Sequence, residues 1–110
     1  MAPITRVTMI KLREEDIDMA LKGFETFAKT QTKEGKPYIL SMEAGPARGS
    51  VRDQGYTFVT KSVFTCVDDQ KFYEDKCPAH QEYKTFLKEN TSGVSGLISV
   101  NFEPSCSFSI

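Results

Sequence analysis

The chain has 110 residues, 39% of them hydrophobic and 26% charged, and a formal net charge of −1 at pH 7. This length suits one domain with its own core, and the composition is that of an ordinary globular protein. The nearly balanced charge argues against a nucleic-acid partner. No apolar run approaches the roughly 20 residues needed to cross a membrane, so we expect no membrane partner.

The first six residues (MAPITR) lack the apolar core of a signal peptide, which favours a cytoplasmic protein. Three cysteines is an odd count, and their spacing is not that of metal ligands, so reduced thiols are expected. With a single histidine in the chain, we predict no metal site and no cofactor.

The first half of the chain predicts a strand, a helix and a second strand. Residues 4–12 alternate loosely and carry apolar groups on both faces, which is typical of a strand covered on both sides. The acidic run Glu14–Asp16 suits a helix start. Gly35 and Pro37 end that helix, residues 38–44 predict a strand, and a polar loop reaches Gln54. The apolar stripe of the helix comprises Ile17, Leu21, Phe24 and Phe27.

The second half predicts a strand, two helices and a final strand. Residues 56–65 are rich in aromatic and β-branched types, which favour an extended conformation. Asp68 or Asp69 is expected to cap a short helix that runs through Tyr73. Pro78 suits the first position of the next helix, which carries His80 towards its buried side. Residues 97–102 predict the last strand, and 105–110 a tail.

The order β-α-β-β-α-β predicts an α+β, ferredoxin-like subunit, with a four-stranded antiparallel sheet and helices on one face. We expect one domain over residues 1–110, with its core at about 4–104. On the third strand, Phe58 and Phe64 alternate with Val59 and Val63, so both sheet faces carry apolar area. Burial of the second face against an identical copy predicts a homodimer.

Two short motifs carry a family resemblance. Gly55-Tyr56-Thr57 opens a strand, and Pro78-Ala79-His80 opens a helix about twenty residues later. The pair resembles the stress-responsive dimeric α/β-barrel (Dabb) family over about residues 4–104. The resemblance implies a dimeric α+β barrel. The family includes a plant olivetolic acid cyclase and a fern hydroxynitrile lyase.

The resemblance also implies a pocket between sheet and helices that holds a small, flat, hydrophobic compound. The alternative for the apolar residues there is simple core packing. The expected substrate-binding residues are Ile10, Phe24, Phe27, Phe58, Tyr83 and Leu97.

His80 is the main candidate for catalysis. A helix N-terminus disfavours positive charge, which would keep the imidazole neutral and available as a base. In the family's cyclase, the histidine of the same motif works with a tyrosine six residues earlier. Here that position is Glu74, and Tyr73 lies one position away, where the helix register would point it elsewhere. Either residue is a candidate to assist His80, and the alternative for Glu74 is a solvated helix residue.

Three further substitutions depart from the cyclase pattern, because Phe58, Cys77 and a position near Arg6 lack its histidines. Cys77 precedes a helix start, which can activate a thiol, but the alternative is a small buried hydrophobic residue. Two functions follow. The first is cofactor-free acid–base catalysis of the cyclase or lyase type on a polyketide-like or carbonyl compound, with His80 as base. The alternative is a non-catalytic, stress-responsive ligand-binding protein in which His80 is structural.

Overall fold

An antiparallel sheet of four strands carries three helices on one face. The computed structural model describes residues 2–49 and 54–110, so Met1 and residues 50–53 of the predicted loop lie outside the described residues. The strands are β1 (Ile4–Lys11), β2 (Ile39–Pro46), β3 (Phe58–Phe64) and β4 (Gly96–Phe102). The helices are α1 (Ile17–Thr30), α2 (Val67–Asp75) and α3 (Pro78–Asn90), and a 3₁₀ turn at Glu14–Asp16 precedes α1.

The strand order is β2-β3-β1-β4, and every neighbouring pair is antiparallel. This is the predicted α+β, ferredoxin-like fold, which is confirmed. The two central strands pair with Ile10 opposite Phe58 and Thr8 opposite Thr60. On the edge strand β4, Leu97 lies opposite Ile10 and Ser99 opposite Thr8. These residues share the inner face, on the side of the sheet where the helices lie.

The chain forms two separate helices between β3 and β4. α2 begins after Cys66, so the predicted capping role of Asp68 or Asp69 is wrong; both lie in the first turn, where the helix dipole favours acidic side chains. Lys76 and Cys77 leave the helical conformation, and Pro78 then starts α3 at its first position. The break lets α3 take a direction of its own.

Aromatic rings fill the space between sheet and helices. Phe58 and Phe64 on β3 are fully buried, and Phe27 on α1 is nearly so. α1 and α3 pack closely at Gly23, where an added Cβ would lie 2.5 Å from the Phe86 ring. The hydroxyl of Tyr83 donates to the carbonyl of Ala20 at 2.9 Å and joins the two helices.

The part of the outer sheet face formed by β1 and β4 carries exposed apolar side chains. Exposed fractions there reach 55% at Val100 and 47% at Phe102, with Met9 and Ile98 beside them. Within residues 2–49 and 54–110, no helix is long and apolar enough to cross a membrane.

Candidate functional site

A cavity of about 180 Å³ lies between the inner sheet face and α3. Leu97 of β4, one of the two edge strands, contributes to its wall and is 55% exposed. The wall combines apolar side chains with hydroxyl, imidazole and cationic groups. Its lining residues are Arg6, Thr8, Ile10, Phe24, Thr60, Tyr73, His80, Tyr83, Lys84, Leu87, Leu97 and Ser99.

His80 lines this cavity and is only 8% exposed. Its Nδ1 lies 2.8 Å from the backbone carbonyl oxygen of Tyr73, near the end of α2. A carbonyl oxygen only accepts, so Nδ1 must carry the proton and donate. Carbonyls in the last turn of a helix lack intrahelical partners, and His80 therefore caps α2. In the neutral ring, Nε2 is left as the acceptor.

Burial lowers the pKa of His80 to about 4, against the hydrogen bond to the Tyr73 carbonyl, which raises it. The nearby charges of Lys84 and Arg6 also lower this pKa, and Glu74 raises it. The neutral ring expected from the sequence therefore has burial as its main cause, because a charged ring would lose its hydration.

The side chain of Tyr73 lies against His80, with ring centroids 4.0 Å apart and 23° between the planes. The expectation that Tyr73 points elsewhere is wrong, because the break at Lys76–Cys77 separates its helix from that of His80. Burial raises the pKa of Tyr73 to about 12, although Arg6 and Ser62 oppose this shift. The phenol is therefore protonated near neutral pH, the state in which its hydroxyl can donate a hydrogen bond.

Glu74 turns towards β1. Its carboxylate accepts hydrogen bonds from Nη1 of Arg6 and from the side-chain amide of Gln70. The hydrogen bond of His80 goes instead to the Tyr73 carbonyl. The structure thus pairs Glu74 with Arg6, and the carboxylate fixes the guanidinium at the cavity wall.

The six expected substrate-binding residues divide into two groups. Ile10, Phe24, Tyr83 and Leu97 line the cavity together with His80. Phe58 has no exposed surface and belongs to the core. Phe27 stacks near His80, with centroids 5.6 Å apart, and faces a different cleft of about 300 Å³ between α1 and α3. That larger cleft contains neither the histidine nor a cation.

Several polar residues of the wall were missed by the sequence analysis. Thr8, Thr60 and Ser99 face inward, and the hydroxyls of Thr8 and Ser99 lie 2.8 Å apart. Arg6 lies two residues before Thr8 on the same face, and its Nε is buried with no acceptor among residues 2–49 and 54–110. One pattern in the sequence could have indicated these residues. Along β1, β3 and β4, polar residues stand at inward-facing positions, where a packed core would have apolar ones.

Cys77 is fully buried. A thiol without exposed surface is inaccessible to a dissolved electrophile, so the structure favours the packed hydrophobic role over the nucleophilic one. In the part of the chain that the structure describes, no three His, Cys, Asp or Glu side chains are grouped so that they could hold a metal ion.

Comparison with known proteins identifies the family. A sequence profile of the stress responsive A/B barrel domain matches residues 4–103. The chain belongs to this family. A fusaristatin A biosynthesis cluster protein of Gibberella zeae is 44% identical over 102 residues, which are 92% of this chain and 72% of that protein.

Two solved structures share the fold at low sequence identity. A hydroxynitrile lyase from Passiflora edulis is 16% identical, with a TM-score of 0.70 and 98% of each chain covered. A dimeric ferredoxin-like protein of unknown function from Thermobifida fusca is 12% identical, with a TM-score of 0.72 and 94% and 92% covered. At these identities, the likeness extends to the fold.

The depressed pKa of His80 predicts a stability loss in acid. The pKa of His80 is about 4 in the folded state and 6.5 in the unfolded state. Between pH 6.5 and pH 4, the unfolded chain therefore binds a proton that the folded protein does not bind. The free energy of unfolding falls as the pH drops through this range. The two pKa values imply a loss of about 3 kcal/mol from this group. The measurement is urea unfolding of the wild type and His80→Phe from pH 7 to pH 4. The wild type should lose more stability than the variant, whereas parallel losses would contradict a buried neutral His80.

Proposed function

We propose that this protein binds a small, flat, largely apolar carbonyl or phenolic compound in the cavity and moves a proton on it, with Nε2 of His80 as the base. Such chemistry requires no cofactor. The observation that carries the proposal is the fixed tautomer of His80. Its Nδ1–H is held by the Tyr73 carbonyl, and the acceptor nitrogen belongs to a ring that lines the cavity.

The surrounding groups suit an enolisable substrate. Apolar side chains such as Ile10 and Phe24 match a flat ring, and the hydroxyls of Thr8 and Ser99 supply hydrogen bonds to substrate oxygens. Tyr73, protonated at neutral pH, is the candidate to donate to a carbonyl oxygen as the neighbouring carbon loses its proton. Enolate and imidazolium would then form an ion pair, which favours the charged ring despite its burial.

The names of the similar proteins support a small-molecule ligand. One similar protein is named for a biosynthesis cluster, and one similar structure is a hydroxynitrile lyase. Both names concern small molecules.

The second candidate is ligand binding without catalysis. Two observations favour it: His80 already has a structural task as the cap of α2, and a pKa of about 4 makes it a weak base before the substrate binds. This alternative uses the same cavity and differs only in whether Nε2 ever accepts a proton.

Deuterium exchange separates the two candidates. We expect the wild type to accelerate exchange of the α-hydrogens of phenylacetone in D₂O, measured by proton NMR, because Nε2 removes one of them. His80→Phe keeps a stacked ring but has no acceptor, so the acceleration should vanish. Gln81→Ala, an exposed neighbour on α3, is the matched control and should exchange like the wild type.

Ketone binding without exchange would favour the ligand-binding candidate. Equal exchange by wild type and His80→Phe would remove His80 as the base. If the wild type neither binds the ketone nor any of a panel of flat phenols, the cavity is not a ligand site.

We also propose that two chains pair through their outer sheet faces. The exposed apolar side chains of Met9, Ile98, Val100 and Phe102 form one surface, which is costly to leave in water. The similar protein from Thermobifida fusca is dimeric by its name. A two-fold axis would place the same surface of each subunit against the other.

Light scattering tests the pairing. The wild type should give about twice 12.4 kDa at micromolar concentration. Val100→Lys places a charge in the proposed contact between subunits and should shift the mass to that of one chain. Thr85→Lys, at an exposed position of α3, should leave the mass unchanged. A wild type that scatters as a single chain would contradict the proposed dimer.

A further inference from the structure

Two cationic side chains line the cavity, and they differ in what holds them. Nη1 of Arg6 is bound to the Glu74 carboxylate and lies 3.4 Å from the side-chain oxygen of Asn101. Lys84 is exposed, lines the same cavity, and makes no ion pair or side-chain hydrogen bond with any residue in 2–49 or 54–110. The charge of Lys84 is therefore not compensated within the described part of the subunit.

The position of Lys84 relates it directly to His80. The two residues are four apart on α3, so their side chains emerge on the same face one helical turn apart. His80 is buried against Tyr73, and Lys84 is exposed. A ligand that reaches the imidazole with one end thus has the ammonium group near its other end.

We propose that Lys84 determines substrate specificity by binding an anionic group, such as a carboxylate, at the mouth of the cavity. This inference rests on the proposed function, since it assumes a ligand beside His80. The cavity volume of about 180 Å³ limits the ligand. It lies below the roughly 300–1,000 Å³ of sites for drug-sized molecules, which favours a single ring with short substituents.

The electrostatics of the wall agree with an anionic ligand. Arg6 and Lys84 contribute two positive charges, no Asp or Glu is among the lining residues, and the Glu74 carboxylate is bound to Arg6. A carboxylate on Lys84 would offset one of the charges that disfavour the imidazolium form of His80. An anionic substrate would in this way make the ring a better proton acceptor than it is in the empty cavity.

A matched pair of ligands tests the inference by calorimetry. 4-Hydroxybenzoate and 4-hydroxybenzamide have nearly the same shape, and only the first is charged. We expect the wild type to bind the acid about fivefold more tightly than the amide at low salt, as for a partly exposed ion pair. Added sodium chloride should reduce this preference because it screens the charges.

Three variants identify the residue that is responsible for the preference for the acid over the amide. Lys84→Met has similar length without charge and should bind both ligands equally, whereas Lys84→Arg should keep the preference. Lys88→Met, one turn further along α3 and outside the cavity wall, should behave as the wild type.

Equal binding of acid and amide by the wild type would overturn the inference and leave the proposed cavity intact. An acid preference that survives in Lys84→Met would also overturn it and would point to Arg6. Binding of neither ligand, together with failure of the neutral phenol panel, would overturn the inference and the proposed function together.

Discussion

The hydrogen bond from Nδ1–H of His80 to the carbonyl of Tyr73 organises this site. It joins the end of α2 to the beginning of α3 across the break at Lys76 and Cys77. Without it, a carbonyl at a helix end would be buried without a partner, at a cost of roughly 1–3 kcal/mol. The bond also orients the ring and places its proton on Nδ1. In the neutral ring, Nε2 is therefore left as the hydrogen-bond acceptor. One interaction therefore serves both the fold and the site.

The rest of the site depends on how the inner sheet face is composed. A purely apolar face would pack against the helices as core, as it does at Phe58 and Phe64. Towards the β4 edge, the face changes to Thr8, Ser99 and Arg6. Polar groups of this kind need hydrogen-bond partners or space for a bound molecule. The cavity lies at that transition, next to the imidazole.

The sequence predicted the fold better than the site because the two depend on different information. Strands and helices follow from local periodicity, and α3 follows from Pro78 together with the apolar positions after it. The candidate His80 was also visible, since it is the only histidine and lies on the buried side of its helix. Each of these features depends only on residues that are close to one another in the sequence.

Pairing between distant residues was not predictable in the same way. Arg6 and Glu74 are 68 positions apart, so nothing local indicates that the carboxylate turns to the guanidinium. The orientation of Tyr73 depends on the angle between two helices, which a single helical register cannot give. Lys84 has the pattern of any solvated lysine until the cavity beside it is known.

The tautomer of His80 decides whether Nε2 is free to accept a proton. As the chain has one histidine, its two ring nitrogens can be followed without ambiguity in long-range ¹H–¹⁵N NMR spectra of the wild type. At pH 7, we expect a proton on Nδ1, none on Nε2, and no imidazolium until the pH approaches about 4. A proton on Nε2 at pH 7, or a ring that titrates near 6.5, would contradict it.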